Sequence, residues 1–309
     1  MAQHDQENGD DRARDRAALI SVLLMLGVAA INAADAVIVR LLAREVHPFV
    51  IGLTRTTFGL LAMLPWIMSR PMMLRSQHRF LHLLRAALKL GSLVAVFAAL
   101  AAAPLADVTA IGFAAPLFVT LGAWGLLGER LRPVRMLAAV LGFIGVIVVL
   151  RPDWGAGMAM ISPALALALL AAALTAVIQL MLKVMARKDA TDTLVAWNLI
   201  VSVPLALLPA LYFWTTPTPA QWGLLALQGA LGAINQTAVT RAFQLADASL
   251  VAPIDFLRLP LVALLAFSIF GEMAGISTWI GAAFIFVSTL LMAASRKTAR
   301  QDRTLIPPA

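Results

Sequence analysis

The chain has 309 residues, of which 61% are hydrophobic and only 13% are charged, and its formal net charge is +8. This composition excludes a soluble globular protein. The absence of cysteine excludes disulfides, thiolate metal sites and cysteine nucleophiles. The positive charge does not indicate nucleic-acid binding, because the basic residues lie beside the ends of apolar segments. There they signal membrane topology and contact anionic lipid of the bilayer.

Ten apolar runs follow one another along the chain. Most have the ~20 residues that a helix needs to cross ~30 Å of hydrocarbon. They cover residues 17–39, 48–68, 83–103, 108–127, 136–150, 162–184, 193–213, 222–242, 249–270 and 276–295. The predicted fold class is therefore an all-α integral membrane protein with ten transmembrane helices.

Basic residues are concentrated on alternate connections between these runs. Of the 24 Lys and Arg residues, 18 lie on the same side as the two tails, and only Arg40, Arg44 and Arg151 lie on the opposite side. The positive-inside rule therefore predicts that both termini are cytoplasmic, in a bacterial inner membrane. Residues 1–16 are predicted to be a disordered tail and residues 296–309 a second cytoplasmic tail. Arg40 and Arg44 are exceptions, which either snorkel at a helix end or indicate a misplaced first connection.

The chain also matches itself at a shift of 143 residues. Arg55 then falls on Asn198, and Gly128-Glu129 falls on Gly271-Glu272. The two copies cover residues 17–152 and 153–295. Each copy has five spans, and since five is odd, the second copy enters the membrane from the opposite side. Rocking of such inverted halves opens a midplane site first to one face and then to the other.

Three stretches of the first half carry a family resemblance. They are Leu105-Ala-Asp-Val-Thr-Ala-Ile-Gly-Phe-Ala-Ala-Pro-Leu-Phe-Val-Thr-Leu, Leu127-Gly-Glu-Arg-Leu and Leu141-Gly-Phe-Ile-Gly-Val. The second half has a weaker version in Leu245-Ala-Asp-Ala-Ser, Gly271-Glu272 and Gly281. The chain thus resembles the EamA family of the drug/metabolite transporter superfamily. The resemblance implies a ten-helix transporter; members export amino acids and other metabolites, and some take up solutes such as S-adenosylmethionine.

Ionisable residues within the apolar runs are costly to place in a membrane, so each is a candidate site residue. They are Asp35, Arg55, Lys89, Asp255 and Arg258. Three cations against two anions leave one positive charge in surplus, which a substrate carboxylate would neutralise.

Each of these charges also has a structural interpretation. Asp35 is either a proton carrier, since desolvation raises the pKa of a carboxylate, or a helix-end partner of Arg40 or Arg44. Arg55 either binds substrate or snorkels outwards. Lys89 is either a substrate ligand or an interfacial lysine that reaches back to water.

Asp255 and Arg258 stand three residues apart on one predicted helix face. They form either a local ion pair or an anion site in which Asp255 holds Arg258 ready. Asp255 is in addition a candidate proton carrier.

Uncharged polar and aromatic residues complete the candidate set. The amides within the runs are Asn32, Gln179, Asn198, Gln228, Asn235 and Gln236. They either bind a ligand or hold helices together through hydrogen bonds. Trp124 and Trp197 lie within spans, where each is a candidate for stacking on a substrate.

Several classes of chemistry lack their motif. There is no Walker A sequence and no Gly-x-Ser-x-Gly elbow, and the four histidines, His4, His47, His78 and His82, lack metal spacing and are assigned to tails or connections. No cofactor, metal or enzymatic activity is expected. The sequence predicts a secondary transporter that exports amino acids or similar small metabolites by alternating access. The alternatives are an uptake carrier for S-adenosylmethionine or a carboxylate, and a non-transporting scaffold or sensor; the oligomeric state is left open.

Overall fold

The computed structural model describes residues 2–69, 76, 79–127, 133–150, 162–185, 189, 191–245 and 252–304. No strand occurs in these ranges. The helices are α1 (Ala2–Leu42), α2 (Pro48–Met68), α3 (Arg79–Ala102), α4 (Leu105–Gly112), α5 (Ala115–Leu127), α6 (Pro133–Leu150), α7 (Pro163–Met185), α8 (Thr191–Tyr212), α9 (Pro219–Leu245), α10 (Arg258–Phe270) and α11 (Ile276–Thr304). A 3₁₀ helix, Ala252–Leu257, precedes α10.

The predicted apolar runs coincide with these helices. Among the described residues, five stretches are long and apolar enough to cross a membrane: Arg16–Leu42, Pro48–Met68, Arg79–Ala102, Leu105–Gly125 and Pro163–Leu182. Three apolar helices are shorter: Met136–Leu150, Ala196–Tyr212 and Ile276–Leu291. The helical class is thus confirmed, and the count of ten spans stays a prediction.

Local sequence explains where many helices begin and end. Proline occupies the first position of α2, α6, α7 and α9, where its missing N–H removes a donor that would lack a partner anyway. Helix α10 ends at Gly271, whose φ of 68° lies in the left-handed region that glycine adopts readily. Helices α1 and α11 continue into the polar ends of the chain. The predicted division into two tails and two repeats stays a prediction.

The helix pairs that pack together come in matched sets. Under the shift of 143 residues, α1, α2 and α3 correspond to α7, α8 and α9. Helix α3 packs along α7 as α9 packs along α1, and α3 contacts α8 as α9 contacts α2. Helix α6 packs extensively against α11, which is its own counterpart. A two-fold relation between the halves produces this pattern.

The α6–α11 seam shows the direction of that relation. Ser288 donates a hydrogen bond to the carbonyl of Ala138 over 2.5 Å. One step along the seam, a Cβ added at Gly145 would lie 2.6 Å from the carbonyl oxygen of Gly281. Numbers rise along α6 as they fall along α11, so the helices are antiparallel. The shift converts the first contact into the second, and the antiparallel course is what inverted copies require.

Arg40 at the end of α1 has protein partners instead of the snorkelling position considered from the sequence. It donates to the carbonyls of Leu100 (2.6 Å) and Ala103 (2.7 Å) and forms an ion pair with Glu272. Glu272 also accepts from the backbone N–H of Leu105 over 3.2 Å. One arginine therefore ties α1 to the α3–α4 corner and to the connection between α10 and α11.

Candidate substrate-binding site

Two helices are interrupted at corresponding positions, where the sequence predicted the continuous runs 108–127 and 249–270. Helix α4 ends at Gly112 and α5 begins at Ala115. In the second half, the 3₁₀ helix ends at Leu257, directly before α10. Pro116 in the first turn of α5 has no N–H to continue the preceding helix, which accounts for the first break. Paired discontinuous helices mark the substrate site in many secondary transporters.

An aromatic pair lies at these two breaks. Phe113 and Phe256 stack with ring centroids 4.1 Å apart and an interplanar angle of 15°. The two residues are 143 positions apart, so each is the repeat counterpart of the other. A residue that contacts its own counterpart lies at the pseudo-two-fold axis. The pair therefore places a flat apolar surface where the two halves meet.

Arg258 faces this aromatic pair. Its guanidinium carbon lies 4.5 Å from the centroid of the Phe113 ring, within the range of a cation–π contact. Its Nε is buried and has no hydrogen-bond partner. Asp255 and Arg258 are both described, yet no ion pair joins them, so the predicted local pair is absent. The Arg258 side chain is instead directed towards Phe113.

Asp35 and Arg55 form an ion pair that joins α1 to α2. Arg55 Nη1 lies 2.6 Å from both carboxylate oxygens of Asp35. The guanidinium carbon is 5.9 Å from the centroid of the Phe97 ring. A Cβ added at Gly232 of α9 would lie 3.6 Å from Arg55 Nη2. Neither sequence alternative holds, because Arg55 does not snorkel and Asp35 pairs with Arg55, not with Arg40 or Arg44.

Lys89 lies one turn beyond Arg85 on α3, and its side chain is exposed. Arg85 and Arg55 both lie close enough for their positive charges to act on Lys89. Arg85 is only 6% exposed and donates to the carbonyl of Leu194, while its Nε is buried without a partner. Asn198 on α8 is also 6% exposed and has a buried Oδ1 without a partner.

Asn32 and Asn235 occupy positions that the repeat relates to a hydrogen-bonded pair. Ser92 of α3 and Thr175 of α7 lie 3.0 Å apart between their hydroxyl oxygens, and the shift maps them onto Asn235 and Asn32. Asn235 Oδ1 is nevertheless buried without a partner. The side chain of the predicted site residue Gln236 lies outside the described residues.

The two tryptophans predicted to stack on a substrate lie in different surroundings. Trp197 stacks on His82 with centroids 5.3 Å apart. Trp124 is 56% exposed and shares a helix face with the exposed Leu121, as a lipid-facing side chain does. The assignment of His82 to a connection is wrong, because it is fully buried in α3 and lies 3.2 Å from Asp189.

Sequence reasoning missed Arg85 as an interior residue. It follows three arginines of the predicted second connection, so it was counted with that connection. Its repeat counterpart, Gln228, is fully buried, and neither polar atom of its side chain has a partner. Two polar residues 143 positions apart in otherwise apolar runs were the available signal.

Comparisons with known proteins place this arrangement. A model described as the EamA-like transporter family matches residues 19–151 and 162–294. An S-adenosylmethionine uptake transporter of Rickettsia bellii is 28% identical, over 88% of this chain and 92% of its own. Riboflavin transporters are 34% identical in Rhizobium johnstonii, over 74% of each chain, and 31% in Vibrio cholerae, over 82% and 86%. One crystal structure, with 21% identity, has a TM-score of 0.59 over 92% of this chain and 99% of its own, and shows the fold alone.

Proposed function

Because the chain belongs to the EamA-like transporter family, we propose that it takes up a small heteroaromatic metabolite by alternating access. The relatives named for S-adenosylmethionine uptake and for riboflavin support this reading. They give no support to amino-acid export, so the uptake alternative fits better than the main sequence prediction. The transporter names also favour a carrier over a scaffold or sensor.

The paired helix breaks with Phe113 and Phe256 at the axis are the observation that carries the proposal. S-adenosylmethionine and riboflavin both contain a planar heterocycle, and such rings stack favourably on aromatic faces. When the halves rock apart, the two phenylalanine rings offer such faces to a bound ring. Arg258 beside them supplies hydrogen-bond donors for ring nitrogen or carbonyl acceptors.

Alternating access requires one end to close while the other opens. The ion pair between Arg40 and Glu272 closes the end at which α1 finishes. We place this end on the outer side of a bacterial inner membrane and both termini in the cytoplasm, on the strength of the basic residues near the opposite end. The α6–α11 seam serves as the axis about which the halves rock.

Reconstitution into liposomes tests the proposal. Radiolabelled S-adenosylmethionine and riboflavin are each offered outside, and accumulation is followed with time and concentration. Phe256→Leu keeps apolar bulk but removes the flat face, and an aromatic contact contributes about 0.5–1.5 kcal/mol. Its KM for the transported compound should therefore rise by up to about tenfold. Phe118→Leu is the matched control, since Phe118 packs edge-on against Phe143. If neither compound accumulates above protein-free liposomes, the proposed function is wrong.

A further inference from the structure

We propose that Lys89, Arg85 and Asn198 form a subsite for the α-amino-acid end of the substrate, with the cations on its carboxylate and Asn198 on its ammonium. This inference rests on the proposed uptake function and names the class of substrate. Of the two kinds of compound carried by the relatives, it selects S-adenosylmethionine, which has such an end, over riboflavin, which has none.

The charges of the cavity supply the first argument. Arg55, Arg85 and Lys89 act on one another as like charges. Among the described residues, Asp35 is the carboxylate that pairs with any of them, and it pairs with Arg55. Two cations therefore lack a counter-ion. A charge without a partner in a desolvated site is strongly destabilising, so a bound anion is stabilised there.

The unpaired polar atoms supply the second argument. Arg85 Nε and Asn198 Oδ1 are both buried without hydrogen-bond partners, and both residues are more than nine-tenths buried. Buried polar groups are normally paired, and an exception calls for a ligand, an ion or water. One atom is a donor and the other an acceptor. A bare inorganic anion satisfies the donor alone, whereas a zwitterion satisfies both.

The repeat supplies the third argument, because it brings Lys89 to the same place. Gly232 lies beside the Arg55 side chain, and the shift maps these two residues onto Lys89 and Asn198. The two-fold relation therefore puts Lys89 opposite Asn198. Lys89 is exposed while Arg85 and Asn198 are buried, so the subsite opens to water on the lysine side. A substrate can enter there and reach the buried pair behind.

The experiment measures binding to the purified protein in nanodiscs by calorimetry. The ligands are S-adenosylmethionine and its decarboxylated analogue, which keeps the heterocycle and the sulfonium. A charge-assisted hydrogen bond is about twice as strong as a neutral one, so the wild type should bind the analogue at least ~10-fold more weakly. Lys89→Met should weaken binding of S-adenosylmethionine by about 10- to 100-fold. It should change binding of the analogue by less than about twofold.

Two further variants make the result decisive. Arg44→Met removes an exposed cation at the other end of the bundle and should leave the affinity ratio of the two ligands unchanged. Asn198→Asp places a carboxylate beside the cations in advance. It should raise the midpoint of thermal unfolding without ligand and abolish the preference for S-adenosylmethionine. If Lys89→Met misfolds, this second variant still decides the question.

The outcomes separate the subsite from the proposed function. An unchanged ligand ratio in both Lys89→Met and Asn198→Asp overturns the subsite, as does a wild type that prefers neither ligand. Binding and uptake of riboflavin alone would overturn the subsite and leave heteroaromatic uptake standing. Methionine and methioninamide serve as a second carboxylate and amide pair. A Lys89-dependent preference for methionine without uptake of either heterocycle would support the subsite and refute the proposed function.

Discussion

The α6–α11 seam and the centre of the bundle obey the repeat to different degrees. At the seam the relation holds contact for contact, since the pairing of Ala138 with Ser288 becomes that of Gly281 with Gly145. In the centre the geometry repeats but the chemistry does not. Arg55 has Asn198 as its counterpart, and Lys89 corresponds to a glycine.

This difference has a physical reason. A seam about which two halves rock must be equally well packed when either face is open, so small residues on both sides suit it. A substrate such as an amino acid has two unlike ends, so a cavity with the same residues on both sides cannot match it. Symmetry therefore serves movement and asymmetry serves recognition.

The inverted relation itself admits an all-or-none test. The chain has no cysteine, so a single introduced cysteine reports its own position. Cysteines at Gln77 and Thr191 should react with an impermeant maleimide only from the cytoplasmic side. Those at Thr218 and Gly275 should react only from the outside. Labelling of Gln77 and Gly275 positions from the same face would break the comparison at its base.

Substitution at the seam should give the largest loss of stability. In Gly145→Ala the new methyl group would lie 2.6 Å from the Gly281 carbonyl oxygen, and backbone cannot move aside as a side chain can. We expect a loss of about 3 kcal/mol, at the upper end for overpacking, measured as the free energy of unfolding in detergent. Gly27→Ala is the control, because nothing lies within 4 Å of its added Cβ. Equal stability of the two variants would show that the seam is loose.

The central ion pair should matter less for stability. Asp35→Asn leaves the Arg55 charge without a partner, which costs ~3–5 kcal/mol when burial is complete. The side chains of Arg55 and Asp35 are 24% and 17% exposed, so we expect about 2 kcal/mol. Adding Arg55→Gln should restore most of the stability. Glu45→Gln, at an exposed contact with Gln221, should cost less than ~1 kcal/mol.

A histidine outside the spans should give the smallest effect. His47 Nδ1 accepts from the Phe49 N–H over 3.3 Å, and its ring stacks on Phe213 at 4.0 Å. Burial lowers the pKa of His47 below its ordinary value of 6.5. Between the lowered pKa and pH 6.5 the unfolded chain binds more protons, so stability falls as the pH drops through this window. His47→Asn should keep a cap and lose this pH dependence, seen in unfolding midpoints at several pH values.

Parts of the site were readable from the sequence because they depend on chain-local patterns. Lys89, Arg55 and Asn198 stand out as polar residues in apolar runs, and the matching positions of Arg55 and Asn198 follow from the self-match. Their partners were not readable. Asp35 was assigned to arginines near it in sequence, while Arg40 pairs with Glu272, 232 positions away.

The sequence by itself determined the membrane class, the helical runs and the inverted repeat. Hydrocarbon thickness and internal hydrogen bonding impose these on any spanning chain. Only the tertiary structure decided that α4 and α5 are separate helices, that Phe113 meets Phe256, and which polar atoms stay unpaired. Those facts depend on the rotation and crossing of helices far apart in the chain, which side-chain packing sets and local periodicity does not contain.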